Sequence, residues 1–268
     1  MQAVSLPFFY GWLWVREGYR LFMRQPMAML FWSLVTNLLI HLSYLLPLLG
    51  QIALLVASPA LTFIVLNASH NIAKGQQMQL GMWTAPLRPA NVRNPLIKLG
   101  GLYMLACLAA GLLATIPFVD SIMSVMPEPG TPVDEAAFMR ALRAPMFALM
   151  AIYVLVSAIF WHAPALIGWH NIAIKQALFY SMVACWRNKL PFILYGLCWL
   201  ALYFFMQQLD MVLLTSGLAP SLQQLILTPL SLVILAVLYG SFYPIYLTVF
   251  GPSAMALKAA SQHEDADQ

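Results

Sequence analysis

Apolar residues run through this chain in six long blocks, broken by short polar joints. The blocks are roughly Pro26–Pro47, Gln51–Ile72, Pro95–Phe118, Pro145–Ile167, Pro191–Leu213 and Leu225–Phe250. A helix rises about 1.5 Å per residue, so about 20 apolar residues cross the hydrocarbon of a bilayer. No charged residue sits in the middle of any block. Lipid offers the backbone no hydrogen-bond partners, so each block is expected to be a spanning helix. A Pro-Leu-Leu-Gly turn at Pro47–Gly50 separates the first two.

A second periodicity precedes the first block. Phe8, Trp12, Val15, Tyr19 and Phe22 recur at helical spacing, with Arg16, Arg20 and Arg24 on the adjacent side. That pattern predicts an amphipathic helix lying at the headgroups. Gly168–Asn188 is expected to play the same part before the fifth block. The corresponding middle segment contains Gly81, Pro86 and Pro89, which predicts a loop pinned by Trp83. The interfacial anchors are then Trp12, Arg16, Arg20, Arg24, Trp83, Arg93, Trp169, Lys175 and Arg187.

The joints also repeat. "MRQP", "VRNP" and "WRNKLP" precede the first, third and fifth blocks: arginine, then an amide residue, then proline. The arginine suits the headgroups, the amide is expected to cap free N–H groups, and proline is tolerated in a first turn. Pro59, Pro164 and Pro244 lie near the ends of the returning blocks, followed by Lys74, Lys175 and Lys258. "HNIA" occurs at both His70 and His170. The expected architecture is therefore an all-α integral membrane protein: six transmembrane helices in three hairpin repeats, with interfacial amphipathic helices on the cytoplasmic side. The units cover about 5–73, 74–167 and 168–252 of one polytopic domain, with a loop at 119–144 and a tail at 253–268. An axis along the membrane normal would relate them.

Composition supports this solvent. Of 268 residues, 62% are hydrophobic and 8% charged, against about 25% charged in a soluble domain. The net charge of +4 is spread over short joints, which argues against a nucleic-acid surface. With the N-terminus in the cytoplasm, Lys and Arg divide eleven inside to two outside, Arg140 and Arg143. That asymmetry predicts a bacterial inner-membrane protein with both termini cytoplasmic. The first apolar block has neither the position nor the flanks of a cleavable signal peptide. Cys107, Cys185 and Cys198 lie in apolar surroundings and read as buried free thiols. In the outer loop, Thr131 is expected as a helix N-cap, Pro132 at the first helical position and Asp134 closing a capping box.

Candidate chemistry is sparse. Ser33, Asn37 and His41 form a stripe at spacing four in the first block, and His162 and Asp210 add intramembrane polarity. Such groups face the bundle interior. They suit interhelical hydrogen bonds, each worth about 0.6 kcal/mol on average in a membrane, and equally could line a path. His70 and His170 are weak candidates for metal or haem, since no carboxylate lies nearby to orient them. Scattered methionines read as core filler rather than a copper site. No phosphate loop, H-E-x-x-H or G-x-S-x-G motif is present. An enzyme is not expected, and no cofactor is called for.

The segments Ala163–Leu166, Ala184–Asn188 and Pro191–Leu197, with "GWLWVREGYRLFMRQP" near the start, resemble a family of proteobacterial multi-pass inner-membrane proteins of unknown function. The resemblance covers nearly the whole chain. It extends distantly to the membrane part of some glycerophosphodiester phosphodiesterases, without their catalytic domain. It implies no catalytic residues. The first functional expectation is an accessory, assembly or scaffold component with a membrane-protein partner or a second copy of itself. The alternative is a transporter or lipid-handling protein, with a cavity lined by Asn37, His41 and His162.

Overall fold

A computed structural model describes residues 3–126 and 134–251. Every regular element among them is helical: α1 (Tyr10–Arg24), α2 (Pro26–Leu45), α3 (Leu49–Ala73), α4 (Leu80–Thr84), α5 (Ala90–Thr115), α6 (Val119–Met123), α7 (Glu135–Phe160), α8 (Ala163–His170), α9 (Ile174–Arg187), α10 (Lys189–Thr215) and α11 (Pro220–Phe250). Six of them, α2, α3, α5, α7, α10 and α11, lie in segments long and apolar enough to cross a membrane. At most 28% of any span's most apolar window is buried inside the protein. The rest of that apolar surface needs an apolar solvent, and a bilayer supplies it.

Several spans start earlier than the hydrophobic pattern implies. α5 begins at Ala90 and carries Pro95 inside it, and α7 begins at Glu135 and carries Pro145 inside it. Polar residues extend these helices beyond the hydrocarbon, which a pattern of apolar runs does not record. One end moves the other way. α7 stops at Phe160, and the chain bends at Trp161–His162 before α8. Pro164 has no N–H to give the Phe160 carbonyl, so the helix ends there.

The buried core is concentrated at one end of the bundle, where α3 finishes and α5 and α10 begin. This basic end holds Arg24, Lys74, Arg93, Arg187 and Lys189. Within it, Ala163–Ile167 is buried throughout, with Trp14, Met29, Ile72, Leu96 and Ile245 around it. Helix α1 lies across α10 and α11. It packs with Gly11, Trp14, Gly18, Leu21 and Phe22, while Trp12 and Tyr19 are exposed. The face that joins the bundle takes Phe22 from the aromatic series and leaves Phe8, Trp12 and Tyr19 outside. It includes two glycines, whose lack of a side chain admits neighbouring backbone. A Cβ on Gly18 would stand 2.7 Å from the Val237 carbonyl oxygen. Trp83 is buried on short α4 and stacks on Trp32 at 5.0 Å.

The amide residues of the repeated joints do not cap the following helices. Gln25 instead grips an extended segment: its Nε2 donates to the Gln76 carbonyl (2.7 Å), and its Oε1 accepts from the Met78 N–H (3.0 Å). Asn188 does the same to the N-terminal segment, donating to the Val4 carbonyl (2.8 Å) and accepting from the Leu6 N–H (2.9 Å). In both clasps the gripped groups are two residues apart, the spacing of one edge of an extended strand. Asn94, the third such residue, lies inside α5 and is exposed. In the loop, Thr131 and Pro132 lie outside the described residues. Asp134 is itself the N-cap of α7, accepting from the Ala137 N–H at 3.0 Å, and does not close a box from the N3 position.

Candidate functional site

Helices α10 and α11 form a hairpin tied at two levels. Near the basic end the Tyr195 and Ser241 hydroxyls share a 2.6 Å hydrogen bond. Near the turn, the Gln223 Nε2 donates to Asp210 Oδ1 at 2.7 Å. Between the ties the two helices part, and α2 closes the third side of a cleft of about 680 Å³. Its walls follow helical spacing. Trp199, Tyr203, Met206 and Asp210 come from α10, Gln224, Thr228, Ser231 and Leu235 from α11, and Asn37 and His41 from α2. Residues three and four apart share a helix face, so each helix presents one stripe.

The lining is graded along the length of the helices. Asp210, Gln207, Gln224, Thr228 and His41 lie toward the ends of their helices remote from the basic end. Trp199, Leu202, Leu235 and Leu238 lie deeper. Several of the polar groups are already bonded within one helix: Gln207 Nε2 donates to the Tyr203 hydroxyl at 2.9 Å, and His41 Nδ1 pairs with the Asn37 carbonyl at 2.8 Å. No lysine or arginine is among the lining residues.

Three of the five polar candidates read from the sequence, Asn37, His41 and Asp210, thus meet in one cleft. Ser33 does not line it. It is buried, and its hydroxyl donates to the Met29 carbonyl at 3.0 Å. His162 lines a different cavity of about 150 Å³, beside Tyr103, Tyr153 and Ser157. Its ring is fully enclosed among Phe192, Tyr246 and Phe250, so it is core packing and not a wall of the cleft. Tyr203, Gln207, Gln224, Thr228 and Ser231 escaped the sequence reading. Their signal was present: polar residues at spacing four and three in otherwise apolar runs.

The two HNIA copies lead to one helix. His70 Nδ1 shares a 2.8 Å hydrogen bond with the Tyr243 hydroxyl, and His170 Nε2 shares one of 2.6 Å with Tyr246. Trp169 packs against His70, Tyr243 and Tyr246. These histidines fasten α3 and α8 to α11 on either side of Pro244. The copies are not backbone equivalents, because Asn71 is helical while Asn171 is left-handed (φ 51°) and ends α8. Asparagine tolerates that conformation better than most residues.

The charged anchors stay at the surface. Arg16, Arg20, Arg93, Lys175 and Arg187 are exposed. Arg20 pairs with Glu17 at 2.7 Å, an exposed contact of little energetic weight. Arg24 donates to the Ala73 carbonyl at 3.0 Å, tying α1 to the end of α3. Trp169 is half-buried in the aromatic cluster.

Over 258 residues the chain is 31% identical to a probable inner membrane protein of Burkholderia thailandensis, and the match spans 94% of each chain. No family model matches the chain, and no solved structure matches it.

Proposed function

The chain belongs to the same family as the probable inner membrane protein of Burkholderia thailandensis, and from that premise we propose that it binds a membrane lipid in the cleft between α2, α10 and α11, without catalysing a reaction on it. One observation carries this reading. The cleft is polar at one level of the membrane and apolar below it, the same order as a lipid standing in one leaflet. A bundle that needed only to pack would not leave polar side chains facing about 680 Å³ of open space. The test is native mass spectrometry of the protein extracted in mild detergent. The wild type should carry bound lipid, and Ser231→Trp, which fills the cleft from an exposed position, should carry less. Equal lipid on both would sink the reading.

We read the basic end as cytoplasmic, which puts the polar part of the cleft in the periplasmic leaflet. The distribution of Lys and Arg supports this. We also read the chain as three units around one axis. Gln25 of the first unit clasps the lead-in of the second at Gln76–Met78, and Asn188 of the third clasps the lead-in of the first at Val4–Leu6. Asn91 of the second reaches the lead-in of the third, its Nδ2 donating to Asn171 Oδ1 at 3.1 Å. A cyclic hand-over of this kind supports a repeat.

A second reading is an accessory subunit whose partner helix lies along α10. It is favoured by how little of α10 this chain covers: Pro191 and Tyr195 are its buried residues. Co-purification of a fixed stoichiometric partner from native membranes would support it, and a monomer in mild detergent would count against it.

A further inference from the structure

Resting on the lipid-binding reading of the cleft, we infer that the group taken at its polar end is a primary ammonium, the headgroup of an aminophospholipid. Asp210 is the carboxylate in the lining, and no lysine or arginine accompanies it. The local field therefore favours a cation and disfavours an anionic headgroup. Gln223 occupies one carboxylate oxygen of Asp210 at 2.7 Å and fixes the side chain. The other oxygen is left for a ligand. A charge-assisted N–H···O bond to a fixed carboxylate is stronger than a neutral one, and more so away from bulk water.

The remaining polar groups discriminate among cations. Gln207 turns its Nε2 to Tyr203, which leaves its carbonyl oxygen as an acceptor. An ammonium with three N–H donors can use the Asp210 carboxylate and such acceptors together. A trimethylammonium has no donor and is recognised by aromatic cages. At this level the lining offers Tyr203, with Trp199 lying deeper. The phosphate of the same lipid, bonded between the ammonium and the glycerol, finds no cationic partner in the lining, so it faces the open side of the cleft. Its chains follow the deeper wall past Leu202 and Leu235.

The experiment uses the full chain in detergent, offered equimolar phosphatidylethanolamine, phosphatidylcholine and phosphatidylglycerol of matched chains, with retained lipid measured by native mass spectrometry. Phosphatidylethanolamine should be retained about tenfold over the other two, the size expected for one charge-assisted contact. Asp210→Asn should abolish that preference, and Asp210→Glu should keep most of it. Ser231→Lys leaves Asp210 intact and adds a cation to the same lining, so it should turn the preference toward phosphatidylglycerol. Free ethanolamine should compete only far above lipid concentrations, and competition at equal concentration would overturn the lipid as the source. Lipid retained without headgroup preference, or an unchanged order in Ser231→Lys, would overturn the ammonium while leaving the lipid reading standing. If Ser231→Trp retains as much lipid as the wild type, both fall.

Discussion

Gly18 and Gly240 meet where α1 crosses α11, and this contact depends on hydrogen standing in place of a side chain. A Cβ on Gly18 would lie 2.7 Å from the Val237 oxygen, and one on Gly240 would lie 2.9 Å from the Gly18 oxygen. Both neighbours are backbone and cannot rotate away. Gly18→Ala should therefore lower stability by about 1–3 kcal/mol, the usual cost of overpacking. Gly196 meets nothing within 4 Å, and its alanine variant should melt no lower than the wild type. Thermal denaturation followed by tryptophan fluorescence checks both, and equal losses would show that the contact is not tight. Cys185 makes a second prediction at this scale. Burial in α9 pushes its thiol up to about 12. The reactive species is the thiolate, which forms only as pH rises through that value. At pH 8 roughly one part in 10⁴ is ionised. A hydrophilic maleimide should then label Cys185 only after unfolding; rapid labelling of the native protein would contradict its burial. The apolar surroundings of Cys185 were legible in the sequence as a buried free thiol; the glycine contact was not. The aromatic periodicity of α1, read as lying at the headgroups, does not tell which face packs on α10 and α11, because a lipid-facing stripe and a core-facing stripe look alike in letters.

At the level of elements, the joints before α2 and α10 repay comparison with the sequence pattern that announced them. Arginine, amide and proline recur three times, and the pattern correctly marked where α1 gives way to α2 and α9 to α10. The role assigned to the amide was wrong, because helix capping is local whereas these side chains act on segments 51 to 184 residues away. Long-range partners leave no trace in spacing. The correction has a measurable consequence. Asn188 is fully buried and also donates to the Ala184 carbonyl at 2.9 Å. Asn188→Ala would strand the Leu6 N–H and the Val4 carbonyl, at about 1–3 kcal/mol for each buried orphan. The N-terminal segment should then become a protease-sensitive strand, and the melting temperature should fall. Asn94→Ala, at the exposed third position within α5, should change neither. If the two variants behaved alike, local capping would be the better account after all. The middle joint differs for a visible reason. Pro86 and Pro89 break what would be an interfacial helix, leaving α4 and one turn of 3-10 helix, Ala85–Leu87.

For the whole molecule, hydropathy gave the number and order of the spans because one physical demand, an apolar exterior, is written along every one of them. It could not give their lateral arrangement, since every apolar face looks alike to a pattern. The cleft is a product of that arrangement. α2 and α3 pack together, as do α5 and α7, while α10 leans away from α11 between the ties at Tyr195–Ser241 and Gln223–Asp210. Part of the site was nonetheless legible: Asn37, His41 and Asp210 stood out as polar residues in oily runs, and their convergence did not. Beyond its first turns, where α1 packs on it, α10 is held to α11 at these two ties and buries little else, which makes its middle a low-stability element. Its middle should sample a wider range of positions than that of α2, whose most apolar window is more buried, 28% against 11%. With the three native cysteines replaced by alanine, spin labels at exposed Phe205 on α10 and Leu112 on α5 report that range. The control pair places the first label at Leu38 on α2, which is exposed to a similar degree. The Phe205 pair should give the broader distance distribution in detergent. Added phosphatidylethanolamine should narrow it, because a ligand that bridges Asp210 to α11 favours one separation of the helices. The control should not respond. Equal widths for the two pairs without lipid would mean that α10 is as firmly seated as α2, and that the cleft is a fixed notch rather than the parting of a loosely held hairpin.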